Sequence, residues 1–473
     1  MTVLVWFRQD LRLTDNPALY HACHTGEPVI PVFIDDPLPT SVSQLGSASR
    51  VWLHHSLQAL TQDLQASGSH LILRQGSASV ILPQLLAETG ATRLYWNRLY
   101  DPASLQRDRQ LKESLRQVCE VRSFNASLLN EPWEVLKADG TPYKVFTPFW
   151  QAMLRHSIQH QPLPAPEQIP APARIPSSLR LDSLKLLPHI RWDVGMMSHW
   201  QVGERAALHK LLNFLPIGGK DYQQARDLPA HSGTSRLSPH LHFGEISPRQ
   251  VVWLAEQCLA ENATADNGVR HFIREIGWRE FAWHLLYHFP HTVERPLDER
   301  FTRFPWAENH EEILIRWQRG QTGYPIIDAG MRELWQTGWM HNRVRMIVAS
   351  LLCKNLLVPW QKGENWFRDT LVDADLASNV LGWQWTAGCG ADAAPYFRIF
   401  NPILQSQKFD PDGDYIRRWV PELCECSSKQ IHLPREPGEN KRNYPLPVVD
   451  FKASREQALS LFEKIKQPSF RKT

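Results

Sequence analysis

The sequence predicts two domains: a Rossmann-like α/β domain built on a parallel sheet, then an all-α domain. Three observations carry this. Short apolar bursts alternate with helical stretches as far as residue 124. Six prolines crowd residues 161–176 (QPLPAPEQIPAPARIP). Beyond residue 200 the apolar positions recur at helical spacing, with Pro and Gly punctuating between the repeats.

Residues 2–7 (TVLVWF), 28–34 (PVIPVFI), 70–74 (HLILR), 92–97 (TRLYWN) and 121–124 (VRSF) read as short strands. Helical stretches lie near 50–66, 78–89 and 103–118. Such alternation argues for a parallel sheet with helices on both faces. Neither G-x-G-x-x-G nor G-x-x-x-x-G-K-[ST] occurs in this half, so the usual phosphate-cradling fingerprints are missing from it. Repeated proline fixes φ and removes donors, which makes 161–176 an extended connector. We place the first domain at 1–130, an interdomain linker at 131–200 and the helical domain at 201–473. The helices of the latter are read from ERAALHKLLNFL, ISPRQVVWLAEQCL, VRHFIREIGWREFAWHLLYHF, YPIIDAGMRELWQ and NRVRMIVASLLCKNLL.

Composition narrows the function. With 473 residues, 42% apolar and 21% charged, the chain is neither disordered, collagenous, coiled-coil nor a small disulfide scaffold. Net charge is +3, and Lys+Arg against Asp+Glu is 18 to 17 over residues 1–200 and 34 to 32 beyond. There is no basic tail, so nucleic-acid binding has to come from a local patch. The seven cysteines are odd in number and contain no C-x-x-C, which reads as free thiols in a reducing compartment. Arg8 and Asp10 interrupt the N-terminal apolar stretch, and Lys354 interrupts IVASLLCKNLLV. Neither a signal peptide nor a membrane span is therefore expected, and the chain reads as cytoplasmic. Twelve of the 19 tryptophans fall between 253 and 419, more than packing in such polar surroundings obviously needs.

Several spacings carry chemistry. Thr234, Ser235, Arg236, Leu237 and Ser238 follow a glycine and precede an apolar stretch; this suits either a hydroxyl-capped helix start or a phosphate cradle. Glu275, Trp278 and Arg279 stand at i, i+3 and i+4 and share one helix face, where they are either a base-stacking and edge-reading set or a surface ion pair beside a core Trp. Asn342, Arg345 and Met346 repeat that spacing with a base-edge reader and a soft apolar contact. Asp373, Asp375 and Asn379 place short acceptors in an apolar region, as helix caps or as ligand contacts, with Arg345 a candidate partner for Asp373. Trp383 and Trp385 point about 200° apart on a helix. His284 and His288 at i, i+4 lack the accompanying ligands of a zinc site, and no metal is expected.

LVWFRQDLRLTDNPAL at 4–19, YKVFTPFW at 143–150, GTSRLSPHLHFGEISPR at 233–249, WREF at 278–281, TGYPIIDAGMREL at 322–334, TGWMHNRVRMIVASLL at 337–352, DADLASNVLGWQW at 373–385 and APYFRIFNP at 394–402 occur in this order. Jointly they resemble the photolyase/cryptochrome family of flavoproteins over nearly the whole chain. Within it, the closest likeness is to bacterial enzymes that repair cyclobutane pyrimidine dimers. The resemblance implies FAD bound in a folded U-shape by the helical domain, with Tyr222, Thr234, Ser235, Arg236, Leu237 and Ser238 cradling its phosphates. It implies Arg345, Asp373 and Asp375 around the isoalloxazine and ribityl groups, and Asn379 facing flavin N5, where protonation sets radical stability. Phe272 falls where related enzymes often carry Trp and still gives an apolar wall. Trp278 and Trp385 would stack on a flipped-out dimer, and Glu275 would hydrogen-bond its carbonyls. Asn342 and Met346 would touch it from the other side, while Arg226, Arg279, Arg343, Arg398 and Gln405 would contact the lesion or its rim. Trp383, Trp360 and Trp306 match the family's electron relay.

The loop 373–385 departs from the expected D-G-D-L-A-A-N-N-G-G-W-Q-W at Ala374, Ser378, Val380 and Leu381. The N-terminal domain of the family holds an antenna, methenyltetrahydrofolate or a deazaflavin. Folate-binding members place an Asn-Glu pair after Trp96-Asn97 where this chain has Ala103-Ser104, which leaves the antenna open. The implied partner is UV-damaged DNA, acted on by a monomer without an obligate protein partner. Three alternatives stand beside dimer repair. One is a cryptochrome-type photoreceptor. Another is a (6-4) photolyase, which would use a His pair where Asn342 and Met346 stand. The third is a helical nucleic-acid-binding module without catalysis.

Overall fold

The computed structural model describes residues 2–37, 44–156, 161–219, 221–261, 266–393, 398–433 and 444–466. Residues 394–397 of the APYFRIFNP motif lie outside them. Packing divides the chain into two compact units: Met1–Asp221 with Ser235–Pro290 and Val372–Leu376, and Tyr222–Thr234 with His291–Leu371 and Ala377–Thr473.

In the first unit, β1 (Val3–Phe7), β2 (Val29–Asp35), β3 (Ile72–Gln75), β4 (Arg93–Asn97) and β5 (Glu120–Phe124) form one parallel sheet in the order β3-β2-β1-β4-β5. β1 is buried along its whole length, as a parallel strand covered on both faces has to be. Between the strands run α1 (Pro17–Cys23), α2 (Ser47–Ala66), α3 (Ala78–Thr89) and α4 (Pro102–Leu115). Asn16 and Asp101 start α1 and α4 by accepting from Leu19 N and Ser104 N, each with Pro in the first turn. The order reverses between β1 and β4, whose register pairs Trp6 with Trp96, their rings edge to face at 5.9 Å. The carboxyl ends of strands at such a switch point are where open α/β sheets take ligands.

The segment FRQDLRLTDNP leaves β1 as a buried polar hub. Arg12, 1% exposed, donates to the carbonyls of Thr14, Gly244, Asp15 and Ala126. Gly244 has φ +66°, and a Cβ there would stand 2.1 Å from the Gln9 carbonyl oxygen, so only glycine fits. The proline-rich connector is laid along this unit: Val29 N donates to Pro170 O, Ile169 N to Ser67 O and Asp15 N to Leu163 O. Besides a short helix at Asp193–Met197, the unit's further helices are α5 (Phe146–His156), α6 (Glu204–Ile217), α7 (Ser238–His242), α8 (Pro248–Glu261) and α9 (Asp266–His288).

The second unit is helical: α10 (Glu311–Gln318), α11 (Pro325–Thr337), α12 (Asn342–Ser350), α13 (Trp360–Thr370), α14 (Leu376–Ala387, in this unit from Ala377 on), α15 (Pro402–Phe409), α16 (Asp414–Trp419) and α17 (Phe451–Lys466). A π-helical turn, Leu351–Asn355, follows α12. Among the described residues no helix is long and apolar enough to cross a membrane. All seven cysteines are free thiols.

Candidate functional site

In the first unit, α7 begins at Ser238 with Leu237 in the cap position, a side chain that cannot cap. Among the described residues no side-chain hydrogen bond caps this helix. Arg236 takes φ +51°, a left-handed backbone that costs a non-glycine residue about 1–2 kcal/mol, and its guanidinium sits 4.7 Å over the Trp200 ring. Two histidines follow on α7. His240 is fully buried and engaged: its Nδ1 lies 2.5 Å from Glu245 Oε2, while Glu245 Oε1 accepts from Trp52 Nε1. His242 is buried, yet among the described residues neither ring nitrogen has a hydrogen-bond partner. The charged groups acting on it are Asp375, Asp373 and Arg279. Asp373 and Asp375 are themselves only 7% and 8% exposed.

Helix α9 carries Phe272, Glu275, Trp278 and Arg279. Phe272 is buried against Phe214 at 5.0 Å. Trp278 is half-buried because one face lies on Phe146, centroids 3.7 Å apart and planes 9° apart. Phe146 comes from the YKVFTPFW segment, whose Trp150 packs against Gly277; a Cβ there would stand 2.4 Å from the indole. Arg279 donates to Ser127 O at 2.7 Å. The neighbouring Glu280 is buried and accepts from Leu129 N, and burial pushes its carboxyl up to about 7. His284 Nε2 accepts from Tyr143 N and His288 Nε2 bonds Pro132 O. Both histidines thus serve the backbone, and burial pushes His284 down to about 3.

In the second unit, His341 caps α12 by accepting from Arg343 N, which puts Asn342, Arg343, Arg345 and Met346 in its first turns. Asn342 is exposed and Met346 half-buried. Arg343 is held by Asp227 at 2.8 Å, lies 4.4 Å over the Phe409 ring and reaches Met346 Sδ at 3.9 Å. Arg345 Nε donates to Met340 O at 2.8 Å. Arg226 lies 5.5 Å over the ring of Tyr222, which is buried. The Arg398 carbonyl accepts from the buried Lys354. Gln405 sits half-buried on α15, a helix capped by Asn401.

Asn379 is half-buried, and its Nδ2 donates to Glu364 Oε1 at 2.9 Å and Glu364 O at 3.2 Å. Glu364 is buried on α13 with Arg368 Nε at 3.7 Å. Trp383 and Trp385 point to opposite sides of α14, the first 2% exposed and the second half-buried. Between them Gln384 clamps the chain, donating to Thr292 O and Arg295 O and accepting from Leu297 N. The ring neighbours of Trp383 are Phe367 at 5.0 Å and Trp317 at 6.2 Å, both edge to face. Its indole fills the place where a side chain on Gly363 would be: a Cβ there would stand 2.0 Å from the ring. Trp360, buried, lies three residues before Gly363 and so on the same face of α13. Trp306 is half-buried beside Phe304 at 4.5 Å. Gly363→Ala is expected to displace Trp383 and cost about 1–3 kcal/mol despite the better helix propensity of Ala, measured by urea unfolding with near-ultraviolet circular dichroism as the reporter of the indole.

Four residues outside the sequence-derived set belong here: His242, Phe146, Trp317 and Glu364. Glu364 left a readable signal, because the buried stripe of α13 runs Trp360, Gly363, Glu364 and Phe367 and puts a carboxylate among apolar positions. Phe146 and Trp317 gave none, since their roles depend on tertiary neighbours. Among the described residues no group of three or more His, Cys, Asp or Glu is placed to hold a metal ion.

Residues 3–168 match the DNA photolyase family, and residues 272–464 match the FAD binding domain of DNA photolyase. The chain is 49% identical to a deoxyribodipyrimidine photo-lyase of Agrobacterium fabrum over 98% of either chain. It is 40% identical to cryptochrome-2 of Arabidopsis thaliana, over 96% of this chain and 77% of that one. The crystal structure of a bacterial class III photolyase from Agrobacterium tumefaciens aligns with a TM-score of 0.94 at 49% identity, covering 99% of this chain and 98% of that one. On these grounds, with the α/β sheet unit and the helical FAD-domain match in one chain, it belongs to the photolyase/cryptochrome family.

Proposed function

We propose that the protein is a deoxyribodipyrimidine photo-lyase that uses light to split cyclobutane pyrimidine dimers in DNA. FAD, fully reduced when active, would supply the light-driven electron to the dimer. The chain supplies the rest. The observation that carries this reading is Trp278, a half-buried indole backed by Phe146 at 3.7 Å, on the same face of α9 as Glu275 and Arg279. A stacking platform whose far side is already fixed loses little entropy when a base lands on it, and stacking is worth about 1–3 kcal/mol per base. Flipping a damaged pair out of the duplex costs only a few kcal/mol, which stacking on Trp278 and Trp385 would offset. As a carboxylic acid, Glu275 would donate a hydrogen bond to a dimer carbonyl and stabilise the added charge as a preorganised group. Asn342 and Met346 would line the opposite side, with Arg226, Arg279, Arg343, Arg398 and Gln405 against phosphates or the lesion rim.

For FAD, the fit rests on Asp373 and Asp375 as buried acceptors, on Asn379 with its amide oriented by Glu364, and on His242 with two unspent nitrogens. Tyr222, Thr234, Ser235, Arg236, Leu237 and Ser238 would hold the phosphates, with Phe272 as apolar wall and Arg345 near the ring. Trp383, Trp360 and Trp306 would pass electrons inward during photoreduction. A second, antenna chromophore, folate or deazaflavin, is supported by the buried Trp6 Nε1, Trp96 Nε1, Arg8 Nε and Ser104 Oγ around the carboxyl ends of β1 and β4, atoms without hydrogen-bond partners among the described residues. The likeness to a plant cryptochrome favours a blue-light photoreceptor as the second reading.

The test is loss of dimers from UV-irradiated oligothymidylate under blue light, with the flavin verified as reduced, against a dark control. Loss only in the light is expected; no loss in either arm sinks the lyase reading in favour of the photoreceptor. Trp278→Ala should weaken damaged-DNA binding about 5- to 150-fold, the equivalent of about 1–3 kcal/mol, with flavin content unchanged.

A further inference from the structure

His242 is the outlier among the buried polar groups of the first unit. It is 6% exposed, its ring stands edge-on to Phe243 at 4.5 Å, and both nitrogens lack hydrogen-bond partners among the described residues. Buried polar groups in folded proteins are almost always hydrogen-bonded, so an imidazole with two idle nitrogens asks for an occupant. Two residues earlier on the same short helix, His240 is tied to Glu245 and does not share this state. The charged groups facing His242 come from two elements: Asp375 and Asp373 from the segment ahead of α14, and Arg279 from α9. The carboxylates favour an imidazolium, whereas burial and the guanidinium oppose it, and burial prevails. The ring is therefore held neutral against two carboxylates, a balance that one further negative charge would tip.

We propose that His242 is a charge-compensating residue of the flavin-binding part of the first unit, neutral beside oxidised flavin and protonated once the flavin is reduced. Two electrons from an external one- or two-electron donor then enter with two protons, one going to the flavin and one to the free imidazole nitrogen. No bond other than these N–H bonds is made or broken. The role rests on the flavin reading above and is additional to it, since Asp373, Asp375 and Asn379 would contact the cofactor without any proton exchange.

The experiment measures proton uptake on reduction of the holoprotein around neutral pH. A pH-indicator dye and a mediated electrochemical titration are used, first on the parent and then on His242→Gln and His242→Asn. The parent is expected to take up close to two protons per flavin, and its midpoint potential to fall with pH about twice as steeply as that of either variant, which take up one. Uptake of one proton by the parent overturns the proposal, as does uptake of two by a variant that keeps its flavin. If neither variant retains flavin, the imidazole of the parent, followed by NMR in the oxidised and reduced states, decides: an unchanged protonation state overturns it. A parent that binds no FAD would instead remove the flavin reading itself.

Discussion

Trp383→Phe is expected to bring photoreduction of oxidised flavin down to background while protein reduced chemically beforehand repairs dimers at the parental rate. The substitution keeps an aromatic ring between Phe367 and Trp317, at 5.0 and 6.2 Å from the present indole. It removes the six-membered half of the indole from the face of Gly363. The gap should cost about 1–2 kcal/mol, little enough for the fold to survive. What is lost is redox chemistry, because a benzene ring is far harder to oxidise than an indole. Trp360 shares the Gly363 face of α13 and is itself buried, so it has no direct supply from solvent and depends on its neighbours. The contrast between the two assays separates the relay from the repair chemistry. If pre-reduced Trp383→Phe protein failed to repair, Trp383 would have to be moved from the relay to the reaction itself.

The sheet was legible because each strand is a short apolar burst bounded by turn residues, and β1 came out within a residue of its reading at Val3–Phe7. Helices α9 and α12 were legible for the complementary reason: Glu275, Trp278 and Arg279, like Asn342, Arg345 and Met346, are spaced to share a face, and both segments are helical. Sequence could not show what lies behind these faces. That Phe146 backs Trp278 depends on α5 reaching α9 from more than a hundred residues away. That Arg236 lies over Trp200 goes with a left-handed backbone at a non-glycine residue, for which no local pattern exists. His240 and His242 are chemically identical in the sequence and stand two residues apart. Only the position of Glu245 makes one a structural anchor and leaves the other idle. Local periodicity thus decides which residues can act together, while long-range packing decides which of them are already spent.

Glu364→Leu is expected to be the most damaging change outside the residues proposed to touch cofactor or DNA, and Glu364→Gln to be mild. Glu364 takes the Asn379 amide on two oxygens, one of its carboxylate at 2.9 Å and its backbone carbonyl at 3.2 Å, and its carboxylate lies 3.7 Å from Arg368. Leu leaves the amide with the backbone bond alone and removes the carboxylate from beside Arg368, which keeps its bond to Asn365; the cost should be about 1–3 kcal/mol, read as a lower urea midpoint. Gln keeps an oxygen for Asn379, so the amide that would face the flavin keeps its orientation, and the cost should stay within about 1 kcal/mol. Burial holds the Glu364 carboxyl above the ordinary carboxylate range. A raised folded-state value means that its contribution to stability is full at low pH and is lost as pH rises through that value. Relative to the parent, Glu364→Gln should therefore gain stability with rising pH, whereas Glu364→Leu should remain destabilised throughout. The same split should appear in the cofactor. Dark reoxidation of reduced flavin in air should be at least tenfold faster in Glu364→Leu, as expected for losing about 1.4 kcal/mol of orientation, and close to parental in Glu364→Gln. Equal reoxidation rates in the two variants would show that the carboxylate acts only on stability and that Asn379 holds its orientation without it.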